Sequence, residues 1–343
     1  AQGAISILEG LGCIDTLCFG SECGELSVLQ HIAQLLLSES DTYSHMLQDA
    51  LKKGHSFPAA RHQALEKLTG DASVSQILSE PNNILGIEYL KALKKQNSRM
   101  VPYTLKRDSS GYHDTKLQPQ SSSASAIRNA LRHWEEQPFS RYPADPQQTP
   151  DGFSELLQNQ LPENALRLLR DAWNQSCPIE TNDFSLLLKY RLLCETRRSL
   201  CEYQDISEDL ANRIIRNRNQ FLNFEQFCQL LKTKELTYSR ISRGLLHILL
   251  AVKKEDMLRY RESSCIYTRI LGFRKEHADV LRQIKENASI PVITKLGQTD
   301  SLLPETIRML DQTTFASDLY ESVVSDKFGI PFINEYQKQI IHV

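Results

Sequence analysis

A strand pattern that feeds a polar loop and then a helix is the feature that most constrains this fold. Residues Met100–Lys106 read M-V-P-Y-T-L-K, and a polar loop joins them to a helix that starts near Ser123. Ile14–Phe19 is a second buried-strand pattern, and an amphipathic helix follows it at Leu26–Leu37. Alternating strands and helices are typical of a parallel sheet, whose ligands lie at the carboxyl ends of its strands. The first part of the chain is therefore predicted to be an α/β layer.

The helix start after the second strand has two interpretations that stay open. Ser123, Ser125 and Arg128 stand where backbone N–H groups are unpaired and the helix dipole is positive. Small hydroxyl residues let a phosphate approach such N–H groups, and an arginine one turn later adds a fork of donors. A serine-rich helix start is also an ordinary N-cap.

Three more positions combine a ligand-binding signal with a structural alternative. Gly20 ends the first strand, where it either lets backbone approach a ligand or makes a simple turn. Asn82 or Asn83 can cap the helix predicted over Ile84–Gln96, or offer a side-chain amide to a nucleotide. Arg107 ends the second strand, where it either contacts a phosphate or is an ordinary solvated surface charge.

A change in composition divides the chain. Trp134–Asp151 holds four prolines and a Gln pair, which is typical of an interdomain linker. The prediction is a nucleotide-binding α/β domain over 1–134, a linker over 135–151, and a mainly helical domain with short C-terminal strands over 152–343. Expected elements of that last domain are helices over Asp183–Cys201, from Ser207 onward, within Phe224–Ala251 and over Phe315–Val324, and a strand within Asn287–Lys295.

A basic segment in the helical part predicts contact with a polyanion. Lys232–Lys275 holds eleven basic residues and four acidic ones, an excess of seven positive charges in a chain whose net charge is −2. Interleaved tyrosines can stack on unpaired bases, and a charged, solvated helix face is the alternative. The candidate RNA contacts are Lys232, Lys234, Arg240, Arg243, Lys253, Lys254, Arg269 and Arg274.

The bulk composition excludes several other classes. The 343 residues are 41% hydrophobic and 24% charged, as in soluble globular proteins, and the sequence has no apolar run long enough to span a bilayer. Neither a signal peptide nor a C-x-x-C pair is present, so the eight cysteines are expected to be free cytoplasmic thiols, with no metal site.

The motifs together resemble one family. Ser123–Arg128 resembles the S-x-[ST]-x-I-R signature of HIGH-superfamily nucleotidyltransferases. With Phe19–Glu22, Pro81–Gly86 and Tyr112–Asp114, the order and spacing resemble the bacterial tRNA(Met) cytidine acetate ligases. Further matching segments are Leu230–Lys234, Tyr267–Gly272 and Ile290–Lys295.

The resemblance implies a Rossmann-like nucleotidyltransferase sheet followed by a mainly α-helical domain. It implies an ATP-dependent ligase that first makes acetyl-adenylate and then N4-acetylcytidine at the wobble position of elongator tRNA(Met). It implies ATP as the cofactor, accompanied by Mg²⁺. By motif position Gly20, Asn82, Arg107, Asp108, Ser123, Ser125 and Arg128 would contact ATP. His113 is the candidate general base, with a loop-ordering contact to Asp114 as the alternative.

One family motif has no counterpart in these residues. Family members carry H-x-G-H ahead of the region that matches Ala1, and the sequence contains no H-x-G-H. We therefore expect an N-terminally truncated member, without the first strand of the sheet. The alternatives to a complete ligase are a tRNA-binding fragment without catalysis and a nucleotidyltransferase acting on a small metabolite.

Overall fold

The computed structural model describes residues 1–37, 41–54, 60, 63–67, 72–107, 116–118, 122–135, 156–157, 159–262, 267–297, 299 and 302–343. Two compact units make up the chain. The first unit is Ala1–Leu166 with His277–Ile290, and the second unit is Arg167–Glu276 with Pro291–Val343. The predicted linker over 135–151 lies almost entirely outside the described residues, so the predicted domain boundaries stay a prediction.

The elements follow the chain as helices interrupted by short strands. They are α1 (Gln2–Leu11), β1 (Thr16–Ser21), α2 (Leu26–Leu37), α3 (Asp41–Lys52), α4 (Ala72–Ile77), α5 (Pro81–Lys95), β2 (Val101–Lys106), α6 (Ala124–Glu135), α7 (Glu163–Ala172), α8 (Ser185–Cys194), α9 (Arg197–Leu200), α10 (Glu208–Asn217), α11 (Phe224–Leu231), α12 (Tyr238–Leu249), α13 (Lys254–Glu262), β3 (Thr268–Arg269), β4 (Gly272–Phe273), α14 (Ala278–Asn287), β5 (Val292–Ile293), α15 (Pro304–Phe328) and β6 (Ile341–His342).

The first unit is built on the parallel pair of β1 and β2. Their register runs from Thr16 opposite Val101 to Ser21 opposite Lys106. Helices α2 and α5 pack on this pair and on each other, because each carries buried apolar residues three and four positions apart. The core of the unit includes Leu29, Ile32, Leu36, Ile87 and Leu90. Both predicted strands are therefore present, and they are neighbours.

Helix α14 belongs to the first unit, although more than a hundred residues separate it from the rest of that unit. The backbone N–H of Ser289 donates to the carbonyl of Gly10 at 2.8 Å. A contact between positions 279 residues apart in the chain leaves no signal in local composition or periodicity.

The second unit is a helical body with two dipeptide ladders. Its main core includes Phe224 and Phe227, which are fully buried, and the ring centroids of Phe221 and Phe227 lie 4.9 Å apart. Strands β3 and β5 pair in parallel, as do β4 and β6. The predicted N-cap at Ser207 is confirmed, since its side chain accepts the N–H of Leu210 at 3.3 Å.

Three predicted elements of the second unit need correction. The single helix expected over Asp183–Cys201 is broken after Cys194, because Thr196 and Ser199 form a capping box that starts α9. The strand expected within Asn287–Lys295 is reduced to β5. The helix expected over Phe315–Val324 is the end of the longer α15, which begins with Pro304 at a favourable first-turn position.

Candidate active site

The carboxyl ends of β1 and β2 bring Gly20 and Arg107 together. The Arg107 N–H donates to the Ser21 carbonyl at 2.9 Å and so extends the ladder by one bond. A Cβ built on Gly20 would lie 3.3 Å from Cγ and 3.6 Å from Cδ of Arg107. The arginine stem therefore crosses directly over Gly20, and any larger residue there would displace it.

The turn after β1 is fixed by its own hydrogen bonds. The fully buried Ser21 hydroxyl lies 2.7 Å from Oγ1 of Thr104 on β2 and accepts the N–H of Gly24 at 3.1 Å. Gly24 has φ +70°, and a Cβ there would lie 2.6 Å from Cβ of Lys106. Glycine is required at this position on both counts.

Glu22, in the same turn, accepts hydrogen bonds from the start of α5. Its Oε1 accepts from Nδ2 of Asn82 at 2.6 Å and from the Asn82 backbone N–H at 3.3 Å. Its Oε2 accepts the Asn83 backbone N–H at 2.8 Å. The carboxylate thereby satisfies two N–H groups of the first helical turn and complements the helix dipole.

Of the two interpretations of Asn82 and Asn83, the one in which either residue caps this helix is wrong. The N-cap is Glu80, whose side chain makes no capping hydrogen bond, and Pro81 opens the helix. Asn83 is buried, accepts the Cys23 N–H at 3.1 Å and donates to the Ile77 carbonyl at 3.1 Å. It ties the turn after β1 to the end of α4, and a side chain from a different element does the capping.

A cavity of about 230 Å³ lies beside this edge. Three of the predicted ATP-binding residues, Gly20, Asn82 and Arg107, are in its wall. The rest of the wall is mostly apolar and comes from Ala4, Ile5 and Leu8 of α1, Leu17, Cys18 and Phe19 of β1, and Leu85, Gly86 and Tyr89 of α5. The site thus combines an apolar floor with an amide and a guanidinium, a mixture typical of ligand pockets.

Phe19 packs against α5 at Gly86, which has no side chain. A Cβ built on Gly86 would lie 2.5 Å from Cε2 of Phe19, and the Phe19 and Tyr89 ring centroids are 5.9 Å apart. Gly86 therefore sets the depth of the cavity wall.

The α6 start lies elsewhere among the described residues, outside the lining of this cavity. Ser123 Oγ accepts the Ala126 N–H at 3.0 Å, so this residue is the N-cap that the sequence allowed as an alternative. Arg128 Nη2 lies 3.4 Å from Ser125 Oγ. A phosphate contact by these three residues stays a prediction. Asp108 and His113 lie outside the described residues, as does Asp114.

The eight predicted RNA contacts fall into two groups. Lys232, Lys234, Arg240 and Arg274 are exposed. The other four make contacts within the second unit: Arg243 with Asp205 at 2.5 Å, Lys253 with Glu202 at 2.9 Å, Arg269 with Glu335 at 2.8 Å, and Lys254 with the carbonyls of Cys201 at 2.7 Å and Ile206 at 2.9 Å.

The ion pairs also shift pKa values. The hydrogen bond from Arg243 lowers the pKa of Asp205, with further lowering from the charges of His247 and Arg240. Burial opposes the lowering of the Glu335 pKa, but hydrogen bonds from Lys338 and Arg269 outweigh it. Arg269 is therefore part of a half-buried charge network rather than a free surface cation.

Sequence reasoning included Glu22 in a motif but missed what it does. The available signal was an acidic residue directly after a glycine-ended strand, since such a position faces the carboxyl edge of the sheet. Within the described part of the chain, no group of three or more His, Cys, Asp or Glu side chains could hold a metal ion. No described helix is long and apolar enough to cross a membrane.

The edge of the parallel sheet brings a glycine, an amide and a guanidinium to one cavity. The sequence profile of the family described as HIGH Nucleotidyl Transferase matches residues 1–330. A tRNA(Met) cytidine acetate ligase of Caldanaerobacter subterraneus subsp. tengcongensis is 36% identical over 321 residues, 93% of this chain and 74% of the relative. Its counterpart in Clostridium acetobutylicum is 37% identical over 306 residues, 87% of this chain and 70% of the relative. The chain belongs to the HIGH nucleotidyltransferases and, within them, to the tRNA(Met) cytidine acetate ligase family.

Solved structures agree with this placement. Thermotoga maritima TmcAL in its apo form matches with a TM-score of 0.84 and 26% identity, over 99% of this chain and 80% of that chain. The same protein bound with alpha-thio ATP matches with a TM-score of 0.82 and 25% identity, over 99% and 79%. The family resemblance and the predicted α/β fold class with a mainly helical second part are confirmed.

Proposed function

We propose that this chain is an ATP-dependent ligase that acetylates a cytidine of elongator tRNA(Met). The observation that carries the proposal is the convergence of Gly20, Asn82 and Arg107 on one cavity at the carboxyl edge of the sheet. Its relatives are named for this activity, and a related structure holds an ATP analogue.

The proposed reaction has two steps. An acetate oxygen attacks the α-phosphorus of ATP, which forms acetyl-adenylate and releases pyrophosphate. The N4 amine of the wobble cytidine then attacks the acetyl carbonyl, loses a proton and releases AMP. Both steps develop charge on phosphate or carbonyl oxygens, so positioned donors contribute more than a covalent intermediate with the protein.

Different parts of the site are assigned to different parts of ATP. The cavity volume of about 230 Å³ is below the usual range for a complete ligand of drug size, so we assign only part of ATP to it. Because its wall is mostly apolar, that part is the nucleoside. Arg107, at the strand end, is assigned to phosphate oxygens. Gly20 has no side chain, and this leaves room for the Arg107 stem to cross over it. Ser123, Ser125 and Arg128 are assigned to phosphates, Asp108 to ATP, and His113 to proton transfer from the amine.

Magnesium is the usual companion of ATP. The described residues contain no acidic or histidine cluster that would hold the ion by itself.

The tRNA surface is assigned to four exposed residues of the basic segment, Lys232, Lys234, Arg240 and Arg274. Binding should weaken as salt rises, because each neutralised phosphate releases condensed counterions. Arg243, Lys253, Lys254 and Arg269 have internal partners, so their substitution tests structure as well as RNA binding. The tRNA substrate places the proposed reaction in the cytoplasm.

The test uses the purified chain with ATP, labelled acetate and a tRNA(Met) transcript. The expected result is AMP release and label in the tRNA, but no label in a transcript whose wobble cytidine is uridine. Arg107→Ala should lower kcat/KM for ATP, whereas Arg99→Ala, an exposed arginine ahead of the same strand, should not.

Two results would redirect the proposal. Transfer of the nucleotide from ATP to a small metabolite, with no acetyl label in tRNA, would favour a transferase for a small metabolite. Tight tRNA binding with no consumption of ATP would favour a binding module.

A further inference from the structure

The start of α5 is already occupied by an anion from within the protein. Helix N-termini attract phosphates because their N–H groups point outward and carry the positive end of the dipole. At α5 the Glu22 carboxylate takes the N–H groups of Asn82 and Asn83, at 3.3 and 2.8 Å. A phosphate at this end would meet a carboxylate instead of free donors. The part of the nucleotide that lies beside Asn82 is therefore its uncharged nucleoside.

Glu22 also decides which way round the Asn82 amide lies. A carboxylate only accepts hydrogen bonds, so the Asn82 atom 2.6 Å from Oε1 is the nitrogen Nδ2. The opposite orientation would place two oxygens against each other. Nδ2 is thus turned toward Glu22, and the carbonyl Oδ1 is the side-chain acceptor of a residue that lines the cavity.

We propose that Glu22 is a positioning residue that holds Asn82 with its carbonyl toward the ligand, so that the site selects a nucleoside carrying a hydrogen-bond donor there. The proposal rests on the proposed ATP function. The donors available on adenosine are the N6 amine and the 2′ and 3′ hydroxyls of the ribose. A ligand that lacks the matching donor covers Oδ1 without pairing it, and an acceptor that loses water without gaining a partner is costly.

The experiment compares affinities for ATP with those for purine riboside triphosphate, 2′-deoxy-ATP and 3′-deoxy-ATP, each of which lacks one donor. The wild-type chain should bind one of the three roughly 5- to 150-fold more weakly than ATP. In Glu22→Gln the new amide can donate to Oδ1, so the Asn82 amide turns over and that discrimination falls to about one. Asn82→Ala should lose the same discrimination with Glu22 still in place.

Glu80→Gln is the matched control, because it removes a carboxylate at the same helix end without a side-chain capping bond. It should leave the discrimination as in the wild type. Kd by calorimetry, kcat and KM, and a melting curve are measured for each variant.

Three results would overturn the proposal. Glu22→Gln could weaken ATP and all three analogues by one common factor while lowering the melting temperature, which would make Glu22 purely structural. Asn82→Ala could keep the discrimination, and this variant decides the matter if Glu22→Gln fails to fold. The wild type could bind ATP and all three analogues alike. Failure to bind ATP at all would instead remove the proposed function and the inference with it.

Discussion

Replacing Gly86 with alanine tests the packing that shapes the cavity. The new Cβ would lie 2.5 Å from Cε2 and 3.0 Å from Cδ2 of Phe19. Carbon atoms prefer separations of about 3.5–4.0 Å, so the ring must move by about 1 Å. Tyr89 stands on the same helix with its ring centroid 5.9 Å from that of Phe19, which restricts where the ring can go.

Two opposing contributions decide the size of the effect. Alanine in a helix interior is favoured over glycine by about 1 kcal/mol. Overpacking a core contact costs about 1–3 kcal/mol. The expected net change is a destabilisation of up to about 2 kcal/mol. Gly3→Ala is the control, because a Cβ at Gly3 in α1 meets nothing within 4 Å and should be neutral or stabilising.

Because the chain has two units, a single unfolding midpoint would mix their stabilities. Hydrogen exchange read by mass spectrometry on peptides from β1 and α5 isolates the first unit. Faster exchange in Gly86→Ala, a raised KM for ATP, and partial rescue by adding Phe19→Leu are the expected results. Exchange as slow as in Gly3→Ala, with no coupling to Phe19→Leu, would refute the packing argument.

Three further outcomes concern the second unit. Burial raises the pKa of the Cys228 thiol to about 12, so this cysteine should resist alkylation at pH 8 in the native state while exposed Cys194 reacts, as peptide mapping would show. Arg269→Ala should lower the melting temperature and Arg274→Ala should not, because only the former leaves a buried carboxylate with one partner fewer. The pKa of Asp205 is lowered in the folded state, so its ion pair with Arg243 stabilises the fold above the unfolded pKa of about 3.9. That stability is lost as the pH falls through the lower folded pKa. Asp205→Asn should therefore flatten the acid side of a stability-versus-pH curve.

Local patterns predicted the part of the site that a general rule controls. Strand-then-loop patterns identified β1 and β2, and the rule that parallel strands present ligands at their carboxyl ends placed Gly20 and Arg107 together. Asn82 joined them through its family motif. Gly20 and Arg107 needed only knowledge of where each strand ends.

The same patterns missed what depends on contacts far apart in the chain. Glu22 and Asn82 are 60 residues apart, so nothing near Asn82 shows that its helix is capped from another element. The break after Cys194 was visible as Thr196 and Ser199, three residues apart, but apolar periodicity on both sides suggested one continuous helix.

Counting charges within one segment has the same weakness for the basic surface. The excess of seven positive charges over Lys232–Lys275 is correct for that window, yet acids that pair with three of its cations lie outside it. Asp205 is 38 residues from Arg243, and Glu335 is 66 residues from Arg269. A cation in such a pair must break an internal ion pair before it can bind a phosphate. Of the eight predicted contacts, Lys232, Lys234, Arg240 and Arg274 are therefore the ones whose substitution should reduce the salt dependence of tRNA binding without lowering stability.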